Sequence, residues 1–285
     1  MRSPAALSSR FFLTRKQRSL LLSALFVLGP VLVAAPVAAD VIADLRQRAD
    51  AGDAESLNAL GNAYANGQGV EQDFAAAARY YNLAASRGLA VAQFNLGMMA
   101  ELGRGMPADV AVAFKYYLKA AEQGLAPAQF SVGNMYANGI GVKPDYFEAA
   151  LWYRQAADRG IVEAQYNLAL AYELGRGVAK DEAQAQRWYR LAADRGYARA
   201  RYNLALMLEE GRGATASPAA AAELYRAAAE QGLGLAQNNY GVLLAEGWPG
   251  FSSNLVEAYA WLALAAENGS KPTGRDLVAQ RHEVA

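Results

Sequence analysis

The 285-residue chain has no cysteine and one histidine, His282, three residues from its end. Cys–His and Ser–His–Asp nucleophile systems and ordinary zinc sites need a thiolate or an imidazole held by partners, so these chemistries are excluded. His282 reads as a tail residue, since a lone histidine gains meaning only from its neighbours. Without cysteine, no redox compartment can be read from disulfides. Positive charge is also scarce in the body of the chain. Residues 1–39 hold five of the 27 basic residues and no Asp or Glu, which leaves 22 basic against 27 acidic residues in the remainder. A mildly acidic body argues against nucleic-acid binding, which depends on clustered Lys and Arg. Beyond residue 39 there is no apolar run long enough to span a bilayer.

The N-terminus is a different kind of sequence. A basic, acid-free start is followed by the apolar run "LLLSALFVLGPVLVAAPVAA" at 20–39, ending in small residues before Asp40. This order of basic, apolar and small-residue regions predicts a secretory signal peptide, cleaved after Ala39, and an exported, periplasmic mature chain. The alternative is an uncleaved inner-membrane anchor, which Pro30 and Pro36 disfavour by breaking the helix.

What the chain has in abundance is repetition. Gly67, Gly103, Gly139, Gly175, Gly211 and Gly247 follow one another at intervals of 36 residues. An Ala-Ala pair keeps the same step from Ala84–Ala85 to Ala228–Ala229 and returns one residue late at Ala265–Ala266. Six units of about 53–88, 89–124, 125–160, 161–196, 197–232 and 233–269 result, the last with a one-residue insertion. A fixed period of this length signals a repeat architecture in which each unit buries its apolar face only against its neighbours.

Each unit reads as two helices. In "AQYNLALAYELG", Ala164, Leu168, Ala171 and Tyr172 fall at helical spacing, and Gly175 supplies a left-handed C-cap. Asp73, Asp109, Asp145, Asp181, Ser217 and Asn254 occupy the start of the second helix, and each is a preferred N-cap. The second helix carries aromatic pairs such as Trp188–Tyr189, followed three residues later by the alanines, which predicts rings filling a close helix–helix contact. The segment 40–52 aligns with a lone second helix and is expected to cap the N-terminal end. The tail 270–285 has a short helical pattern at 275–283 that could cap the other end.

"YELGRGVAKD" at 172–181 raises the possibility of a phosphate-binding loop. Such a loop would need a strand before it and Lys-Ser/Thr after the glycines, and neither is there. Arg176, with counterparts Arg104 and Arg212 but Gln68 and Ile140 elsewhere, reads as a solvent-facing tip. No cofactor or metal is expected.

The pattern Ala-x-x-x-Leu-Gly-x-x-Tyr-x-x-Gly-x-Gly-Val-x-x-Asp, then Ala-x-x-Trp-Tyr-x-x-Ala-Ala-x-x-Gly, resembles the Sel-one-like repeat family, relatives of tetratricopeptide repeats. Residues 131–160 and 168–196 carry it most fully, and Ala169, Ala205 and Ala100 depart from it. The resemblance implies an all-α, right-handed α-solenoid of six 36-residue helix-turn-helix repeats with capping helices. It also implies a non-enzymatic adaptor for a protein or peptide, among whose relatives are exported regulators of signalling and envelope polysaccharide. A cysteine-rich subset that binds β-lactams is not matched.

By the same resemblance, the concave face would be lined by positions three before and one after the helix glycine. The first row holds Asn58, Phe94, Phe130, Tyr166, Tyr202 and Asn238, and the second holds Asn62, Met98, Asn134, Leu170, Leu206 and Val242. Glu101, Glu173, Glu209, Glu210 and Glu246 add carboxylates near the helix ends. Aromatics beside carboxylates suit a partner with apolar anchors and Lys or Arg. The competing reading packs the rings between adjacent helices. A further alternative gives Glu173 and Glu209 a role in carbohydrate binding or hydrolysis, since paired carboxylates and aromatic platforms are the materials of glycosidases.

Overall fold

The computed structural model describes residues 35–247 and 253–269. The predicted signal sequence up to residue 34, the tip of the sixth loop, the C-terminal helical pattern and His282 lie outside the described residues. Thirteen helices and no strand occur among the described residues, in tandem pairs that make a helical solenoid. None of these helices is long and apolar enough to cross a membrane. A lone helix, α1 (Ala35–Asp50), precedes six pairs. They are α2/α3 (Ala54–Asn66, Phe74–Ser86), α4/α5 (Ala90–Leu102, Val110–Glu122), α6/α7 (Ala126–Asn138, Tyr146–Asp158), α8/α9 (Val162–Leu174, Glu182–Asp194), α10/α11 (Ala198–Glu210, Pro218–Ala229) and α12/α13 (Gly234–Glu246, Leu255–Glu267). The chain forms two compact units, one up to Tyr116 and the other from Tyr117.

In the first unit, α1 buries Ile42 and Ala49 against Leu57, Leu60 and Ala63 of α2. It thus covers part of the apolar face of α2. The helix begins at Ala35, five residues upstream of the expected start at Asp40. A second cluster forms around Tyr81, Leu96 and Met99.

Local chemistry sets the helix boundaries. Asp73, Asp145 and Asp181 are extended, and their carboxylates accept hydrogen bonds from first-turn N–H groups of the second helices, satisfying donors that have no helical partner. Asp109 and Asn254 do the same. Ser217 occupies the N-cap position, but its side chain makes no capping bond; α11 starts on Pro218, whose fixed φ suits the first helical position and which has no N–H to satisfy. Five first helices end in a left-handed glycine, for example Gly175 at φ 65° and ψ 36°. The sixth, Gly247, has φ 64° but ψ 116°, so its loop leaves in another direction.

Each loop is closed by a backbone hydrogen bond from the capping residue to a carbonyl nine residues earlier, as from Asp181 to Tyr172 at 3.0 Å. In the sixth repeat Asn254 reaches Leu244, ten residues back. The one-residue insertion is therefore absorbed in this loop.

A contact the sequence reading missed ties consecutive repeats together. Gln93, Gln129, Gln165 and Gln237 donate from Nε2 to the carbonyls of Ala85, Ala121, Ala157 and Ala229, at the ends of the preceding second helices. In the fifth repeat Arg201 takes over, donating from Nε to the Ala193 carbonyl at 3.1 Å. These carbonyls at the helix C-terminus also accept from the N–H of the glycine three residues on, so the side chain supplies a second bond. The recurrence of glutamine at the repeat period was the available signal.

Candidate interaction surface

The two predicted rows lie on the first helices, and the structure sorts them by burial. Phe94, Met98, Tyr166, Leu170, Glu173 and Tyr202 are buried. Glu101, Phe130, Asn134, Leu206 and Glu209 are half-buried. Asn58 and Asn62 are half-buried, Asn238 and Val242 are buried, and Glu210 and Glu246 are exposed.

The aromatics are engaged in packing. Tyr166 lies 5.7 Å from Tyr189 and 5.2 Å from Tyr197 between ring centroids, Tyr202 lies 5.8 Å from Tyr225, and Phe130 lies 6.1 Å from Tyr153. These tilted contacts are typical of rings sharing a core. The expectation of an open aromatic groove is corrected for Phe94, Tyr166 and Tyr202, because burial leaves their faces to neighbouring helices. Met98 and Leu170 are closed off as well.

Beneath these rings lies an ordered set of hydrogen bonds centred on a tyrosine that recurs at the repeat period in the second helices, here in the first, third, fourth and fifth repeats. Tyr81, Tyr153, Tyr189 and Tyr225 are almost wholly buried, so each hydroxyl requires an acceptor. Tyr81 donates to Asn62 Oδ1 at 2.7 Å, and Tyr153 to Asn134 Oδ1 at 2.8 Å. In the next two repeats leucine stands where asparagine was, and the acceptor moves one helical turn on. Tyr189 donates to Glu173 Oε2 and Tyr225 to Glu209 Oε2, both at 2.6 Å. Shorter bonds are expected when the acceptor is charged.

Burial raises all four phenols well above their ordinary value. At Tyr189 the Glu173 charge adds to burial, and at Tyr225 burial is reinforced by the hydrogen bond to Glu209 and by its charge. Burial likewise pushes Tyr197 up to about 12.

Glu173 has further partners. Its Oε1 lies 2.9 Å from Arg212, which also bonds Glu210, and Asn203 donates to the Tyr189 hydroxyl at 3.0 Å. A carboxylate committed to a buried phenol and a guanidinium is a structural group. Glu173 and Glu209 therefore have the surroundings of packing residues rather than of a hydrolytic pair.

The glycine loop is also more than a tip. Arg176 is half-buried and sits over the Tyr146 ring at 5.6 Å, and Arg104 sits over Phe74 at 5.5 Å. The solvent-facing reading of Arg176 is thus corrected: the guanidinium closes on the start of the preceding second helix. Gly177 makes the close approach possible. A Cβ there would lie 1.9 Å from the Tyr146 carbonyl oxygen, and φ is +72°. The loop is a joint between repeats.

Six contiguous matches to the Sel1 repeat cover residues 54–89, 90–125, 126–161, 162–197, 198–233 and 234–270. The chain belongs to the Sel1 repeat family. Among solved structures, one similar chain is a protective antigen of uropathogenic Escherichia coli with an SLR fold. It is 37% identical, with a TM-score of 0.76 over 79% of this chain and 48% of that one, so this chain spans about half of the antigen's length. Another is a Sel1 repeat protein from Oxalobacter formigenes, 32% identical, with a TM-score of 0.69 over 81% of this chain and 92% of that one. No curated protein matches the sequence. Sel1 repeat proteins are generally protein-interaction scaffolds and typically not enzymes.

Proposed function

We propose that the protein is an exported, non-enzymatic scaffold that binds a protein or peptide partner on the concave face of its first helices, as an envelope regulator of signalling or polysaccharide. The observation that carries this reading is the six tandem Sel1 repeats, which account for nearly all of the described chain. In the second unit the groups on the predicted rows that retain exposure are Phe130, Asn134 and Leu206, with Glu209 a turn from Leu206; in the first unit Asn58, Asn62 and Glu101 retain exposure. They combine apolar contact with negative charge and suit a partner segment carrying apolar residues and Lys or Arg.

The hydrolase alternative loses its main support, because Glu173 and Glu209 accept hydrogen bonds from buried phenols. A photo-crosslinking residue placed at Leu206 should capture a partner from the envelope fraction, while the same residue at exposed Leu83 on α3 should not. Equal capture at both positions, or none at Leu206, would contradict the proposed face. Mass measurement of the mature protein tests export separately: cleavage after Ala39 is expected, and retention of residues 1–39 would contradict it.

A further inference from the structure

One surface of the second unit breaks the repeat pattern. On α7, Phe147 is 59% exposed and Leu151 is 45% exposed, with Tyr146 beside them at 44%. The positions equivalent to Phe147 in the other four of the first five repeats hold Ala75, Ala111, Ala183 and Ala219. Those equivalent to Leu151 hold Arg79, Lys115, Arg187 and Glu223. Those four repeats thus place small or charged residues on this side, and the third departs from that rule with two large apolar side chains one helical turn apart; in the sixth, Val256 stands in the place of Phe147 but Ala260 in that of Leu151. Exposed apolar groups that share a turn form a patch, and patches mark interaction sites where isolated exposed residues do not.

The frame of the patch is basic. Lys143 is exposed just before α7, Arg176 covers the Tyr146 ring, and Arg154 stands one turn past Leu151. Arg154 donates to the Tyr172 hydroxyl and lies 5.5 Å over Trp188, which links α7 to the neighbouring α9. From α9, Arg187 and Arg190 are exposed at the positions one repeat on from Leu151 and Arg154. Neither makes an ion pair among the described residues. Of the carboxylates nearby, Asp145 is occupied in capping α7 and Glu148 is half-buried, while exposed Asp158 and Asp194 lie one turn beyond Arg154 and Arg190, at the far ends of the two helices.

We infer that the Phe147–Leu151 patch, framed by Arg154, Arg187 and Arg190, is a second docking surface for an acidic peptide segment whose apolar side chains seat on the two exposed residues. This site takes a partner of opposite charge to the one proposed for the first-helix face. Apolar anchors supply affinity there, and the arginines select carboxylates and speed encounter.

The test uses the full chain and a fluorescent synthetic amphipathic peptide with a leucine stripe flanked by glutamates, beside the same peptide with lysine in place of glutamate. The glutamate peptide should bind at least about tenfold more tightly than the lysine peptide, and this preference should shrink as salt is raised. Phe147→Ala with Leu151→Arg should weaken binding about tenfold although it adds a positive charge, because it removes the anchors. The fold tolerates these residues, since Ala75 with Arg79 and Ala183 with Arg187 occupy the same positions. Arg187→Glu with Arg190→Glu should abolish the preference for the acidic peptide. Leu206→Arg on the first-helix face should leave binding unchanged, so failure here and failure of the first-helix proposal are distinguishable. Equal binding of the two peptides, unchanged binding by the Phe147/Leu151 variant, or capture only of anionic phosphatidylglycerol vesicles would overturn the inference.

Discussion

The third and fourth repeats hold the same tyrosine in two different ways. In the third, Gly133 lies under the Tyr153 ring, Asn134 accepts its hydroxyl, and position 137 is alanine. In the fourth, the equivalents are Ala169, Leu170 and Glu173, and the glutamate accepts from Tyr189. A Cβ at Gly133 would fall 2.7 Å from the Tyr153 ring, so an alanine at this position needs the ring to sit elsewhere. The acceptor then comes from the next turn of the helix. The first repeat follows the third (Gly61, Asn62, Ala65), and the fifth follows the fourth (Ala205, Leu206, Glu209). The second repeat has the apolar–glutamate pair Met98 and Glu101 but keeps Gly97. In the sixth, Leu262 replaces the tyrosine, and neither acceptor is present at Val242 and Ala245. The constant requirement is that a buried phenol be satisfied, and the residue that does so varies.

The comparison is broken most severely by Glu173→Ala. It orphans the Tyr189 hydroxyl and removes a carboxylate from Arg212, and it should cost about 3 kcal/mol in urea unfolding. Asn134→Ala leaves the Tyr153 hydroxyl without its acceptor and removes the 3.3 Å bond from Asn167. With no ion pair lost, the expected cost is smaller, about 2 kcal/mol. Gly133→Ala sets overpacking against the better helix propensity of alanine, for a net loss of about 1 kcal/mol.

Alkaline titration sharpens the contrast without mutation. All four phenols are raised in the folded state above the ordinary 10.0. The unfolded chain therefore releases these protons first as pH rises. Their contribution to stability is complete below about pH 10 and declines above it. Circular dichroism should show helix loss accompanying phenolate absorbance, and Tyr81, lacking a neighbouring carboxylate, should ionise before Tyr225. Ionisation of these four phenols near pH 10 with the helices intact, read by comparing absorbance with single Tyr→Phe variants at each, would contradict the burial account.

The sequence revealed the repeat, its period, the caps and the insertion, because these are local and recur at a fixed step. Gly175 and Asp181 can be assigned from backbone chemistry alone. The site was less legible for a physical reason: an aromatic row at helical spacing looks the same whether it lines a groove or fills a core. Tyr166 and Tyr202 were resolved only when the neighbouring helices were in place. Glu173 looked like an available carboxylate because its partners, Tyr189 and Arg212, lie 16 and 39 residues away. The exchange of Asn-x-x-Ala for Leu-x-x-Glu was visible in the alignment of repeats, but its meaning depended on knowing where the phenol pointed. Arg176 shows the opposite difficulty: a rule extended from neighbouring copies makes it a solvent-facing tip, whereas its position has its own contact with Tyr146.

The most direct test of the linked packing scheme rewrites the fourth repeat in the manner of the third, by combining Ala169→Gly, Leu170→Asn and Glu173→Ala. Urea unfolding of this triple variant, compared with Glu173→Ala alone, should recover all but about 1 kcal/mol of the loss, because the new amide accepts from Tyr189 and the new glycine makes room for its ring. A triple variant no more stable than Glu173→Ala would contradict the account.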